Sequence, residues 1–402
     1  KIYIYIILFL KLIFILEGVF MNIYLDNAST TFPKPKVVAD SIYNYITNIG
    51  GNANRSGSSN SLDSSRYLLI AREKIANFFN YEKSSNVIFT NNITTSLNIL
   101  IKGLLKSGDH VISSTMEHNS ILRPLNECSN YNIEVTLVKA NKTGFINPLD
   151  IEKNIKLNTK LIIISHASNV TGSIQDIQSI GRIAKKHNIF FIIDSAQSAG
   201  VIDINMSKLN ADAIAFTGHK SLFGPQGIGG FIINDRLNDC CSPLLTGGSG
   251  SLSHLLEQPN FLPDKFEAGT LNMPGIIGLS NAIDFIQHIG INEVKEKVSF
   301  LRGKLLDGIL NLSNLEFYGS INNTDSTSCL SINHKTLDSS ELSYMLINEG
   351  ISNRAGLHCA PLAHKSIGTY PNGTVRLSLS YFNSVSDIDF TLRTLNKICT
   401  DF

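Results

Sequence analysis

The chain has little of several things that would narrow its function at once. Its 34 Lys and Arg nearly balance 33 Asp and Glu, a net charge of +1 over 402 residues, so nothing electrostatic favours a nucleic-acid or anionic-membrane partner. Small neutral or zwitterionic ligands stay open. The six cysteines (Cys128, Cys240, Cys241, Cys329, Cys359 and Cys399) include no CxxC spacing, which removes zinc and thioredoxin-like readings and leaves no metal site to expect. A chain this long does not need disulfides to hold its core, so they read as reduced thiols of a cytoplasmic protein. There is no internal repeat. The Gly-rich residues 224–230 lack the strand-turn-helix setting of a G-x-G-x-x-G loop, which excludes a dinucleotide site.

What is present is an ordinary globular composition, with 43% hydrophobic and 17% charged residues. Beyond roughly 250–300 residues one core usually splits, so two domains are expected. We place a large domain at residues 33–275 and a small one at 21–32 plus 276–402. Residues 1–20 are apolar but start without methionine, are broken by Lys11 and Glu17, and show no small-residue cleavage site. Glu17-Gly18-Val19 can be encoded by a purine-rich ribosome-binding sequence, so these residues read as translated upstream DNA before a start at Met21. A membrane-tethered binding protein is the alternative that rests on them.

From Met21 a short strand enters a polar turn, and helical spacing follows at 37–46 and 64–79. Apolar runs at 87–90, 111–114, 134–138, 161–165, 190–194, 213–217 and 231–233 then alternate with helical stretches such as 95–105 and 177–187. Such alternation predicts an α/β fold, a doubly wound and mostly parallel seven-stranded sheet with helices on both faces. Residues 247–274 look loose, a mobile or interface segment. Helices at 276–289, 340–348 and 385–399 and strands at 329–333 and 374–380 suit a smaller α+β unit that the N-terminal strand helps to close.

The chemistry centres on Lys220, at the carboxyl end of the run 213–217, where open α/β sheets bind ligands. It is either a solvated loop lysine or an amine that forms a Schiff base with an aldehyde cofactor. Four more features converge there. Asp194 ends a buried apolar run, as a helix cap or as a carboxylate facing a cation such as the pyridinium nitrogen of pyridoxal phosphate (PLP), with Gln197 near the cofactor's phenolic oxygen. Thr94 and Thr95 open a helix, a place for a phosphate or for plain capping. His118, after the run 111–114, is a surface histidine or one stacked on an aromatic cofactor. Arg354 and His358 flank Cys359 with surroundings that favour thiolate, and Arg376 is either an exposed edge-strand residue or a cleft residue able to clamp a substrate carboxylate.

Taken together, YLDNAST, the TT pair after VIFT, MEHNS, HASNVTGS, IIDSAQSAG, FTGHKSLFGPQGIGG, FEAGT and RAGLHCAPLAH resemble the class V aminotransferase-like PLP enzymes over roughly residues 23–385. Within them the chain is most similar to cysteine desulfurases and selenocysteine lyases of the branch with an R-x-G-x-H-C-A motif. The resemblance implies PLP fold type I, a homodimer with a shared active site, and conversion of L-cysteine to L-alanine with the sulfur held as a Cys359 persulfide. A sulfur acceptor protein or small thiol, serving iron–sulfur cluster assembly among other uses, would then take it. It implies Lys220 as the Schiff-base lysine, Asp194 on the ring nitrogen, Gln197 on the phenolic oxygen and His118 stacked on the ring. Asn169 would lie near the phenolic oxygen and the substrate carboxylate. Thr94, Thr217 and His219 would hold the phosphate with Thr95 beside them and Thr270 reaching from the partner chain. Arg354 and Arg376 would bind substrate, and Cys359 would be the nucleophile. Two positions depart from better-known members: the loop at residues 52–60 lacks a histidine, and Leu357 stands for a second histidine before the His358-Cys359 pair. The alternatives are a selenocysteine lyase, or an epimerase or transaminase in which Cys359 is incidental.

Overall fold

The computed structural model describes residues 22–53 and 57–402. The expectation about residues 1–20, and part of the loop at 52–60, fall outside them. Strand β1 is Ile23–Tyr24, and β2 to β8 are Val87–Thr90, His110–Ser114, Glu134–Val138, Thr159–Ser165, Phe190–Asp194, Ala213–Thr217 and Gly229–Ile233. β2 to β8 form one seven-stranded sheet in the order β2-β8-β7-β6-β5-β3-β4. The pairs among β3, β4, β5, β6 and β7 are parallel. β8 runs antiparallel to both β7 and β2, because the short glycine-rich loop after β7 turns the chain back without a crossover helix. Every residue of β6 and β7 is buried, which explains why these runs read as continuous apolar stretches: both faces of a parallel sheet are covered.

Two apolar clusters fill the two faces of this sheet, one containing Ile162, Phe191, Ile193, Ile214 and Phe216, the other Val111, Leu161, Ile163, Ile192 and Phe231. The alternation of strand residues between them is the period of two that a pleated strand dictates. Helix α1 (Ser59–Phe78) begins five residues before the start expected from its apolar spacing, because Ser58 caps it by accepting from Ser61 N. Helix α2 (Ile93–Leu104) likewise begins earlier than expected, capped by Asn92, so Thr94 and Thr95 lie inside its first turn.

Beyond an irregular segment that matches the loose stretch read at 247–274, helices α4 (Met273–Ile289) and α5 (Ile291–Leu310) lead to a four-stranded antiparallel sheet. Its strands are β9 (Leu315–Tyr318), β10 (Cys329–His334), β12 (Arg354–Gly356) and β13 (Thr374–Ser378), in the order β12-β13-β10-β9. β1 pairs in parallel with β11 (Ile351–Ser352), and its neighbour Leu25 joins Leu301, Leu330, Leu342 and Leu377 in a separate apolar cluster. The first described strand is thereby tied to the last third of the chain, which carries the polar turn after it into the cleft.

One buried ion pair fastens α1 to the sheet. Arg72 and Glu267 are 6% and 5% exposed, and Glu267 Oε1 accepts from Arg72 Nη1 at 2.9 Å and from Phe89 N at 2.7 Å. Removing one partner of such a pair strands a buried charge. Glu267→Ala is therefore expected to destabilise the protein by about 3–5 kcal/mol, seen as a lower denaturation midpoint in urea; an unchanged midpoint would contradict this account.

Candidate active site

The carboxyl ends of β3, β5, β6 and β7 meet on one edge of the large sheet. From β7 the chain passes Gly218 and His219 to Lys220 and then folds back, with Phe223 N donating to Lys220 O at 2.8 Å and Gly224 N to Gly218 O at 2.8 Å. Gly200 is needed for this loop to seat: with φ +94° it adopts a conformation that side chains rarely take, and a Cβ there would lie 2.0 Å from Ser221 O. The polar turn after β1 clasps the same loop, since His219 O accepts from Thr31 N at 3.0 Å, Thr30 Oγ1 at 3.1 Å and Lys34 Nζ at 2.6 Å.

Burial lowers the Lys220 amine from 10.5 to about 8, opposed by the Asp194 carboxylate and reinforced by Arg376 and Arg354. Asp194 is buried, its Oδ1 accepts from Ala196 N at 2.8 Å, and burial raises its carboxyl, with that hydrogen bond and Lys220 pulling the other way. Beneath it lies a group that sequence reasoning passes over. Glu117 is fully buried, accepting from Ser114 Oγ at 2.6 Å and Ser165 N at 2.8 Å, and burial raises it to about 7. Nothing in the run MEHNS separates this glutamate from an exposed one.

His118 caps helix α3 (Asn119–Cys128) through Nδ1, which accepts from Ser120 N at 3.0 Å. Burial, then Lys220, Arg354 and Arg376, bring it down to about 4, so its ring is neutral at physiological pH. His219 is likewise lowered to about 4, by burial first and then by Lys220 and Lys34. Its Nδ1 and the Thr217 hydroxyl are buried without a partner among the described residues. Buried polar atoms rarely go unpaired, and these two, close together at the end of β7 beside Lys220, are available to a guest with acceptor or donor atoms. Gln197 Nε2 donates to Ala28 O at 3.0 Å. Asn92 takes up Thr95 N at 3.0 Å and the Thr95 hydroxyl at 3.2 Å, while Thr94 is exposed. Thr95 and Thr270 of the same chain line one groove of about 170 Å³ with Thr90, Asn91 and Gly269.

The opposite wall comes from the four-stranded sheet. Arg376 is 1% exposed on β13, not a surface edge-strand residue, and its partners enclose it: Nη2 donates to Asp26 Oδ1 and to Ser29 Oγ, both at 2.8 Å, and Nη1 to Asn169 O at 3.0 Å. Its Nε is buried without a partner among the described residues. Asn169 Nδ2 also donates to His358 O at 2.7 Å, and Asn119 N to Cys359 O at 2.8 Å, so the loop carrying Cys359 is pinned from both sides. His358 and Cys359 both have positive φ, 49° and 57°. Two consecutive side-chain residues in that region are strained, and such strain gathers at functional sites. Cys359 is exposed, and Arg354 Nη2 lies 3.8 Å from its Sγ.

His358 takes a different place from the one its neighbourhood suggests. It is 2% exposed, its Nε2 bonds Thr374 O at 3.1 Å, and burial holds it well below 6.5. It is a neutral packing residue beside His364, and the cation at the thiol is Arg354.

The class-V aminotransferase family model matches residues 23–390. The probable cysteine desulfurase of Methanothermobacter thermautotrophicus is 34% identical over 383 residues, 94% of each chain. That of Borreliella burgdorferi is 35% identical over 390 residues, 94% of this chain and 91% of that protein. The apo structure of a cysteine desulfurase from Thermococcus onnurineus NA1 superposes with a TM-score of 0.89 at 31% identity, covering 94% of this chain and 95% of that one. The Escherichia coli cysteine desulfurase CsdA gives 0.84 at 27% identity, covering 94% of both. Matched by that family model over residues 23–390 and by these relatives at 34% and 35% identity over 94% of its length, the chain belongs to the class-V aminotransferases, among their cysteine desulfurases.

Proposed function

We propose that this protein is a PLP-dependent cysteine desulfurase, which converts L-cysteine to L-alanine and holds the sulfur as a persulfide on Cys359. The observation that supports this reading is that one histidine stands near both the amine and the loop of the thiol. His118 feels Lys220, Arg354 and Arg376 together, and its neighbour Asn119 holds the backbone of Cys359. An amine near 8, an exposed thiol beside a guanidinium and a buried carboxylate are the groups this reaction needs.

The residues fit PLP. The unpartnered Thr217 hydroxyl and His219 Nδ1 would take its phosphate with Thr94 and Thr95, and Thr270 of a second copy would join them. Lys220 would hold it covalently, Asp194 would face its ring nitrogen, Gln197 and Asn169 its phenolic oxygen, and His118 would stack on the ring. When bound, PLP supplies an aldehyde for the substrate amine and a ring that accepts electrons from the α-carbon.

The chain's own groups do the rest. Lys220, with its neutral form available near pH 8, moves the α-proton. Arg376, which donates to Asp26 Oδ1 in this structure, would orient the substrate carboxylate. The Cys359 sulfur attacks the substrate sulfur; an S–S bond forms as the C–S bond breaks, and the released carbon skeleton gains the proton that makes alanine. A thiol plus a thiol thus become a persulfide plus a methyl group, with no outside oxidant.

A homodimer is supported by Phe32, Tyr43, Ile46, Leu62 and Leu69, which are each 50–70% exposed and leave apolar area for a second copy to cover. All six cysteines are unpaired, which supports the cytoplasmic reading, and no described helix is long and apolar enough to cross a membrane.

Incubation of the purified protein with L-cysteine and a reducing thiol should yield alanine and sulfide in equal amounts. A yellow protein that yields neither would reject this reading, and turnover confined to selenocysteine would move it to a selenocysteine lyase.

A further inference from the structure

Ser29 lies in the polar turn after β1, and none of the roles above uses it. A hydroxyl has one hydrogen to donate and two lone pairs to accept with. Here all three directions are taken. Ser29 Oγ donates to Asp26 Oδ1 at 2.8 Å, accepts from Arg376 Nη2 at 2.8 Å and accepts from Arg354 Nη1 at 3.3 Å. The other arm of the Arg354 guanidinium, Nη2, is the one 3.8 Å from Cys359 Sγ. A single oxygen atom therefore stands between the arginine that would receive the substrate carboxylate and the arginine beside the nucleophile.

The two arginines depend on it unequally. Arg376 is enclosed and keeps Asp26 Oδ1 and Asn169 O whatever happens to Ser29. For the Arg354 guanidinium, Ser29 is the one hydrogen-bond partner among the described residues other than the thiol itself. An arginine side chain is long and flexible, and without a second anchor it does not keep one arm at a chosen atom.

We propose that Ser29 is a positioning residue: by holding Arg354 it keeps the guanidinium against the Cys359 sulfur, and so joins the carboxylate end of the cleft to its nucleophile end. What Cys359 then does rests on the desulfurase reading, whereas the link is a property of the chain. The link has a readout that needs no turnover. The purified protein is treated with iodoacetamide at neutral pH, the cysteine sulfur displacing iodide from the reagent. Alkylation at Cys359 is followed by peptide mass spectrometry against Cys240, the other exposed thiol.

Ser29→Ala is expected to lower the Cys359:Cys240 rate ratio about fivefold, the loss of one charge-assisted contact. Ser29→Thr, which keeps the hydroxyl, should restore it. In an Arg354→Gln background Ser29→Ala should change nothing further, because both act through the same guanidinium. A wild-type ratio in Ser29→Ala, a threonine variant no faster than the alanine one, or an equal drop in the Arg354→Gln background would overturn the proposal. If the protein makes alanine while the ratio ignores Ser29, the link fails and the desulfurase reading stands. If it makes no alanine while the ratio follows Ser29, the link stands and that reading fails.

Discussion

Cys359→Ser is expected to leave a folded, yellow, PLP-loaded protein whose alanine formation falls by roughly 10³-fold or more, the scale on which loss of an enzyme's nucleophile is read. The geometry gives three reasons. The thiol is exposed on a loop whose backbone is fixed at Asn119 N and, through His358 O, at Asn169 Nδ2, so the sulfur is presented at a defined place. Arg354 stands beside it as the nearest cation. Adjacent His358 and Cys359 sit at positive φ, a conformation that aims the buried imidazole and the exposed thiol into different surroundings. A serine oxygen keeps the size and the loop but cannot take up sulfur as a persulfide. The loss should appear in alanine yield and not in absorbance, which separates it from a folding defect. Cys240→Ser, changing the other exposed thiol, should leave alanine formation at the wild-type rate. Alanine production by Cys359→Ser at the wild-type rate would remove the nucleophile assignment and leave an epimerase or transaminase as the reading to test.

The parts of this architecture that were legible are those in which sequence neighbours stay spatial neighbours. The runs ending at Asp194 and Thr217 announce buried parallel strands because no residue in them meets water. Their carboxyl ends then place Asp194 and Lys220 at the cleft by topology alone. Strands of two or three residues, such as Ile351–Ser352 and Arg354–Gly356, leave no periodicity to read. Helix α5 is no easier to read. Its apolar positions Val294, Val298, Leu301 and Leu305 are helically spaced, but Gly290 alone both closes α4 and caps α5, so no loop separates the two helices. The Asp26–Arg376 contact joins residues 350 apart, and nothing local in either motif names the other. Sequence adjacency misled once, at His358, where two left-handed residues turn neighbours away from a common environment. Glu117 and Ser29 escaped for a related reason. Their importance lies in what surrounds them, two hydrogen bonds in a dry interior for one and two guanidinium groups for the other.

Lys220→Ala should give a protein that loses its yellow colour on gel filtration, where the wild type keeps it, and that forms alanine at least about 10³ times more slowly. The amine is well prepared for covalent work. Desolvation at the end of β7 weakens its charged form, and Asp194 keeps it from losing that charge altogether, so it comes to about 8 from 10.5. The sign of the pH dependence follows. Below about 8 the amine is mostly protonated and cannot attack an aldehyde; above it the neutral fraction saturates. The rate at which PLP added to wild-type protein stripped of its cofactor produces the bound absorbance should therefore rise tenfold per pH unit well below 8 and level off above it. A lysine in water would keep rising to beyond pH 10. His118 and His219 do not complicate the curve, since both are held near 4 and stay neutral across that range. Asp194→Asn supplies the second half of the argument. Removing the carboxylate takes away the opposite charge that favours the ammonium, so the bend in the profile should move to lower pH. A bend that stays near pH 10 in the wild type, or moves upward in Asp194→Asn, would mean that burial does not govern this amine and that another lysine captures the aldehyde.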